Sequence, residues 1–123
     1  MGKKTKIKWL KDPEEHDYPA AESYLSLIYE PHTASSLVHQ LKQSSTVEFK
    51  AKDIIRASGQ SLYDMRDLPL EKKENRILDG DPLSPLLLVR DRANGKVVIA
   101  DGYHRLCSVW ELDEEALVPC RII

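Results

Sequence analysis

The dipeptide Asn94-Gly95 stands between two short apolar runs, Leu86-Leu87-Leu88-Val89 and Val97-Val98-Ile99-Ala100. Asn-Gly readily takes the positive φ values that a tight hairpin needs, so the two runs are expected to pair as antiparallel strands. Asp101-Gly102 closes the second run. Behind it Tyr103, Leu106, Cys107 and Trp110 recur at i, i+3, i+4 and i+7, which is one apolar face of a helix. Asp113-Glu114-Glu115 ends that helix, and residues 116–123 read as a last strand. Pro119 within it points to a strand start or an edge. Hairpin, helix and strand in this order give an α/β (α+β) class, a small mixed sheet with helices.

The first third reads as helical. Pro19 suits a first helical turn with Asp17 ahead of it as a cap. Ala21, Tyr24, Leu25 and Ile28 then repeat at helical spacing, and Pro31 ends the run. Thr33 is expected to cap a second helix carrying Leu37, Val38 and Leu41 on one face, with Ser44-Ser45 as its break. Residues 18–43 would then be a helical hairpin, a surface for a protein partner or a homodimer. Thr46 to Lys50 alternates like a strand, and Ala51 to Ser58 reads as a short helix with Ile54 and Ile55 inward and Gly59 as its stop. Residues 60–82 are the least regular, with a short exposed helix over 71–76 and a turn at Asp79-Gly80-Asp81-Pro82. That stretch is a candidate lid. The chain divides into a basic arm and hairpin, 1–45, and an α/β part, 46–123, joined as one compact unit.

Composition removes several classes. Of the 123 residues, 41% are hydrophobic and 31% charged, a balance that suits a folded domain rather than a disordered chain. The longest apolar stretch, Pro85 to Val89, is strand-sized and far short of a membrane helix. The basic start has no apolar run behind it, unlike a secretory signal, so a cytoplasmic location is expected. Cys107 and Cys120 are too few for a disulfide framework or a metal cluster, and both are expected reduced and partly buried. Five lysines and no acid fall within residues 1–11, leaving thirteen bases against twenty acids in the rest, about −7. A body of that sign repels phosphate backbones, which argues against nucleic acid as the partner.

One segment is chemically loaded: Ile99-Ala100-Asp101-Gly102-Tyr103-His104-Arg105. The first N–H groups of a helix lack intrahelical partners and carry partial positive charge, so they attract anions. A glycine at the turn lets a ligand approach the backbone. His104 adds a donor and Arg105 a fork suited to phosphate oxygens. The plainer reading gives Gly102 a turn role, leaves His104 on the surface and pairs Arg105 with Glu111 or Asp101.

The order hairpin, Asp101-Gly102-Tyr103-His104-Arg105, helix, strand resembles the carboxy-terminal half of the ParB/sulfiredoxin superfamily. Sulfiredoxins carry Gly-Gly-Cys-His-Arg at that turn, and Val118-Pro119 is similar to the start of their last strand. ParB proteins carry Gly-Glu-Arg-Arg-x-Arg-Ala, against Gly102-Tyr103-His104-Arg105-Leu106-Cys107-Ser108 here. Val47 to Ser58, through Asp53-Ile54-Ile55-Arg56, is similar to the superfamily's opening strand and helix. The likeness spans residues 46–123 and leaves the hairpin unexplained. It implies a turn that binds nucleotide phosphates, with ATP or CTP and Mg²⁺ as the ligand. Gly102, Tyr103, His104 and Arg105 would be the phosphate-binding residues. Tyr103 stands where sulfiredoxins have their nucleophilic cysteine, and a phenol cannot replace that thiolate. Cys107 stands at the third arginine of ParB proteins, and no helix-turn-helix follows.

Reductase and chromosome-partition roles are therefore disfavoured. What is left is binding of a nucleotide or another phosphorylated small molecule, extending to phosphotransferase or nucleotide-hydrolysing activity. The superfamily includes free-amino-acid kinases. Phosphoryl transfer needs a metal against the phosphate charge and a base for the acceptor, and Asp101 is the best-placed carboxylate for either role, hence the catalytic candidate. Its plainer role is to cap the following helix. The alternatives are a non-enzymatic interaction or dimerisation module and a nucleic-acid accessory protein of a ParB-like system. Glu14-Glu15-His16-Asp17, the pair His32 and His39, and Lys72-Lys73 read as surface residues, and no metal site is expected.

Overall fold

Leu86-Leu87-Leu88-Val89 is buried along its whole length, so the strand it forms must be covered on both faces. The computed structural model describes residues 6–60 and 77–123. In chain order its elements are α1 (Asp17–Leu25), α2 (Pro31–Gln43), β1 (Val47–Lys50), α3 (Ala51–Ser58), β2 (Leu86–Asp91), β3 (Lys96–Asp101), α4 (Tyr103–Leu112) and β4 (Leu117–Ile122). The four strands make one mixed sheet in the order β1-β4-β2-β3. β2 runs antiparallel to β3 and parallel to β4, and β4 runs antiparallel to β1. The protein is a small mixed α/β domain, with four helices among the described residues.

Alternation along β2 splits the core in two. Leu86 and Leu88 point into one cluster with Ile54 and Ile55 of α3, Leu106 and Val109 of α4, and Val118 and Cys120 of β4. Leu87 and Val89 point the other way, into a cluster with Leu25 of α1, Val38 and Leu41 of α2, and Ala100 of β3. Each of these large side chains contributes on the order of 2 kcal/mol by leaving water. The hairpin α1–α2 is therefore the cover of one sheet face.

Several boundaries depart from the sequence reading, each for a physical reason. Asp17 is the first residue of α1 rather than its cap; His16 stands at the cap position, and no side chain caps the helix. α1 stops at Leu25 because the next residues tighten into i→i+3 bonds, Leu27 N–H to Tyr24 O at 3.1 Å and Ile28 N–H to Leu25 O at 3.0 Å. Pro31 opens α2 instead of ending α1, since a missing N–H costs nothing in a first helical turn. Thr33 then lies inside that turn. Pro119 is neither at a strand start nor on an edge: β4 meets β1 over residues 117–120 and β2 over 120–122, so Pro119 precedes the β2 ladder.

Two other helix ends fall where expected. Gly59 ends α3 at φ +75°, and Ser44 ends α2 with its hydroxyl donating to Leu41 O at 2.7 Å. The lysine-rich segment is held down from Lys8 to Leu10, where Leu10 N–H donates to Leu83 O at 2.8 Å and Leu83 N–H donates to Lys8 O at 2.9 Å. The expected helix over 71–76 lies outside the described residues, as do most of the candidate lid and Lys3 and Lys4. No helix among the described residues is long and apolar enough to cross a membrane.

Candidate functional site

β3 delivers the chain to Asp101, and α4 begins two residues later. Between them Gly102 adopts φ +103° and ψ 15°, a conformation that L side chains rarely take. A Cβ there would overlap Leu86 Cδ2 and sit 2.9 Å from Arg105 Nη2, so space as well as backbone geometry requires glycine. Gly102 is the N-cap of α4 with no side-chain cap, and its carbonyl accepts the first helical bond, from Leu106 N–H at 2.9 Å. Asp101 thus does not cap the helix.

Arg105, in the first turn of α4, folds back across Gly102. Its Nη2 donates to Asp101 Oδ2 at 3.0 Å and lies 3.7 Å from Asp17 Oδ2. Asp17 is 2% exposed and accepts a hydrogen bond from the Ser84 hydroxyl, whose oxygen in turn accepts the Glu14 N–H at 3.1 Å. His16 Nε2 stands 3.3 Å from Asp17 Oδ1. Two carboxylates, from α1 and β3, therefore converge on one guanidinium nitrogen. Burial pushes the Asp101 carboxyl above its ordinary range; Arg105 opposes that shift and neighbouring Asp17 adds to it. Arg105 Nε is buried without a hydrogen-bond partner among the described residues.

Two cavities have members of this cluster in their linings. The larger, about 450 Å³, is a groove along β3, lined from Lys96 to Ala100 and onward through Asp101, Gly102, Tyr103 and His104. Its walls come from α1 and the turn after it, through Tyr24 and Ile28, and from the end of α3 and the residues after it, through Ser58 and Gln60. The smaller, about 280 Å³, holds Arg105 with His16, Ser84 and Ser108. No protein-family model, curated protein or solved structure matches this chain.

Of the five residues singled out in the sequence, the fold brings Asp101, Gly102, Tyr103 and His104 to one groove. Arg105 lines the other cavity, its guanidinium turned inward to the carboxylates. The plainer pairing of Arg105 with Asp101 is the one present. His104 is exposed, with its ring edge-on to Tyr103 at 5.6 Å between centroids.

Three contributors escaped the sequence reading: Asp17, taken for a cap and a surface charge but 2% exposed, and Ser84 and Lys96, which it did not single out. Local pattern carried no signal for Asp17 and Ser84, because their contacts span nearly seventy residues. Asp79 and Asp81 are exposed and line neither cavity. Both cysteines are buried, and burial pushes the Cys120 thiol up to about 12, which keeps it protonated. No group of three or more His, Cys, Asp or Glu side chains among the described residues could hold a metal ion.

Proposed function

We propose that this protein is a ParB/sulfiredoxin-like domain that binds a nucleotide or another phosphorylated small molecule in the β3 groove, phosphates at residues 101–104. The observation that carries the proposal is the uncapped start of α4, opened by Gly102 at positive φ and facing a groove of about 450 Å³. That volume lies within the usual range for small-molecule sites. Amides at the helix start supply partial positive charge, and His104 and Lys96 line the same groove. Tyr24 and Ile28, 44% and 51% exposed, offer an apolar wall to the rest of the ligand. The likeness of Asp101 to Arg105 to the superfamily turn supports the same assignment.

Arg105 takes a different part from a direct phosphate ligand. Held by Asp101 and Asp17, it positions the Asp101 carboxylate at the head of the groove. No group of carboxylates, histidines or cysteines among the described residues would fix a metal by itself, and Mg²⁺ would arrive with the nucleotide. If phosphoryl transfer or hydrolysis occurs, Asp101 is the group to accept the proton of the attacking hydroxyl.

Thermal unfolding with ATP, CTP, GTP or inorganic phosphate, each with and without Mg²⁺, tests the reading. Saturating ligand should raise Tm by roughly 5 °C, and His104→Ala, an exposed position, should remove most of the gain. No rise with any of them, or a rise indifferent to His104→Ala, would overturn the assignment.

A further inference from the structure

α3 packs on the sheet face that carries Leu88, and the contact leaves a space. Leu88 and Arg90, two apart on β2, stand on that face; Ile122 lies beside Leu88 on β4, and Val97 beside Arg90 on β3. With Phe49 of β1 these residues form the sheet side of a cavity of about 230 Å³. Its other side is one face of α3, where Asp53 and Ile54 are followed a turn later by Ala57. Ala57 has only a methyl group to fill the gap. Leu88 and Ile54 are buried at the bottom, whereas Phe49, Asp53 and Arg90 are exposed at the mouth.

Six of the eight lining side chains are apolar, and two carry charge. Hydrocarbon walls with a few orienting polar groups are the usual makeup of a small-molecule site, and a volume below ~300 Å³ suits a compact occupant. Arg90 supplies a cation whose field reaches inward: burial raises the Cys120 thiol, and Arg90 opposes that rise. Asp53 is partly answered on its own helix, because the Lys52 ammonium is held above its ordinary range by Glu115 first and by Asp53 to a smaller degree. Arg90 and Asp53 border the same cavity without forming an ion pair with each other. A guanidinium fork at an apolar mouth selects a planar oxyanion. The neighbouring Asp53 charge penalises a phosphate dianion more than a carboxylate, since repulsion scales with charge.

We propose that this cavity binds a short apolar monocarboxylate, its hydrocarbon body between α3 and the sheet and its carboxylate paired with Arg90. The cavity shares Val97 with the lining of the β3 groove but does not rest on the phosphate reading.

Amide-resolved NMR titration of the full chain with hexanoate and with phenylacetate tests the proposal. Hexylamine and acetate serve as the probes that lack the negative charge and the hydrocarbon body. Both acids should give saturable shifts at residues 53–57, 88–90 and 122, and bind at least tenfold more tightly than either control. Arg90→Met keeps an aliphatic stem and should weaken hexanoate by about tenfold, the loss of one charge-assisted hydrogen bond. Ala57→Leu fills the space and should abolish binding. Asp53→Asn removes a like charge at an exposed position and should tighten binding roughly twofold. Arg90 and Asp53 are exposed, so both variants should keep the wild-type amide spectrum away from the cavity, and they decide the matter even if Ala57→Leu disturbs the fold. No saturable shift with either acid, equal binding of hexanoate and hexylamine, or wild-type affinity in Arg90→Met would overturn the proposal. So would weaker binding to Asp53→Asn, or shifts confined to residues 101–104, which would place the acid in the β3 groove.

Discussion

Two carboxylates share one guanidinium nitrogen at the head of the groove, and burial, more than that sharing, sets the behaviour of Asp101. A carboxylate beside an arginine ordinarily loses its proton more easily, yet burial and the nearness of Asp17 outweigh the ion pair here. The folded state therefore holds the Asp101 proton more tightly than the unfolded chain does. Stability from such a group rises as pH falls through its raised folded value toward the ordinary 3.8. Glu115 has the opposite sign: Lys52 and Lys50 hold it low, so its contribution is present above 4.5 and fades in acid. Asp101→Asn keeps an acceptor for Arg105 and removes only the first effect. Urea midpoints of the wild type and this variant, taken from about pH 7 to about pH 4, should show the wild type gaining on the variant as pH drops. A constant gap, or one moving the other way, would contradict the assignment of burial as the dominant cause.

Where β3 ends and α4 begins is settled by Gly102. The strand must turn into a helix within one residue, under the Leu86 side chain and beside the returning Arg105. Gly102→Ala would impose an unfavourable φ and push a methyl group into Leu86, at a combined cost of roughly 3 kcal/mol. Chemical denaturation should register that loss, with α4 the element whose amides exchange fastest relative to wild type. A variant within about 0.5 kcal/mol of wild type would mean that the turn relaxes freely. This junction was legible in the sequence because every signal for it is local: alternation in β3, Asp-Gly at its end, and the i, i+3, i+4 stripe of α4. Gly59 and the Asn94-Gly95 turn were legible for the same reason. Pro31 was misread because proline both ends one helix and begins the next, and only the tight bonds after Leu25 decide between them. The burial of Asp17 was not legible, since its partners Ser84 and Arg105 lie 67 and 88 positions away.

At the scale of the molecule, the sequence suggested a hairpin added to an α/β unit, whereas the fold makes the hairpin one of three layers. Hydrophobic spacing identifies which face of α1 and α2 is buried, but not what it is buried against; that follows only once β2 is seen to be apolar on both sides. Tyr18, Leu25, Val38 and Leu41 cover Leu87, Val89 and Ala100. Arg121 on β4 adds a tether, donating through Nη1 to Lys42 O at 2.7 Å and through Nη2 to Asp12 Oδ1 at 3.0 Å. Removing residues 1–44 would expose that face, strip Asp17 from Arg105 and leave Arg121 unpaired. Returning these apolar groups to water costs on the order of 10 kcal/mol, comparable to the whole stability of a domain this size. The fragment 45–123 should therefore elute as aggregate or collapse to a poorly dispersed amide spectrum. A monomeric fragment with native-like dispersion would show instead that the sheet and α3–α4 carry the fold alone, and would free the hairpin for a separate role.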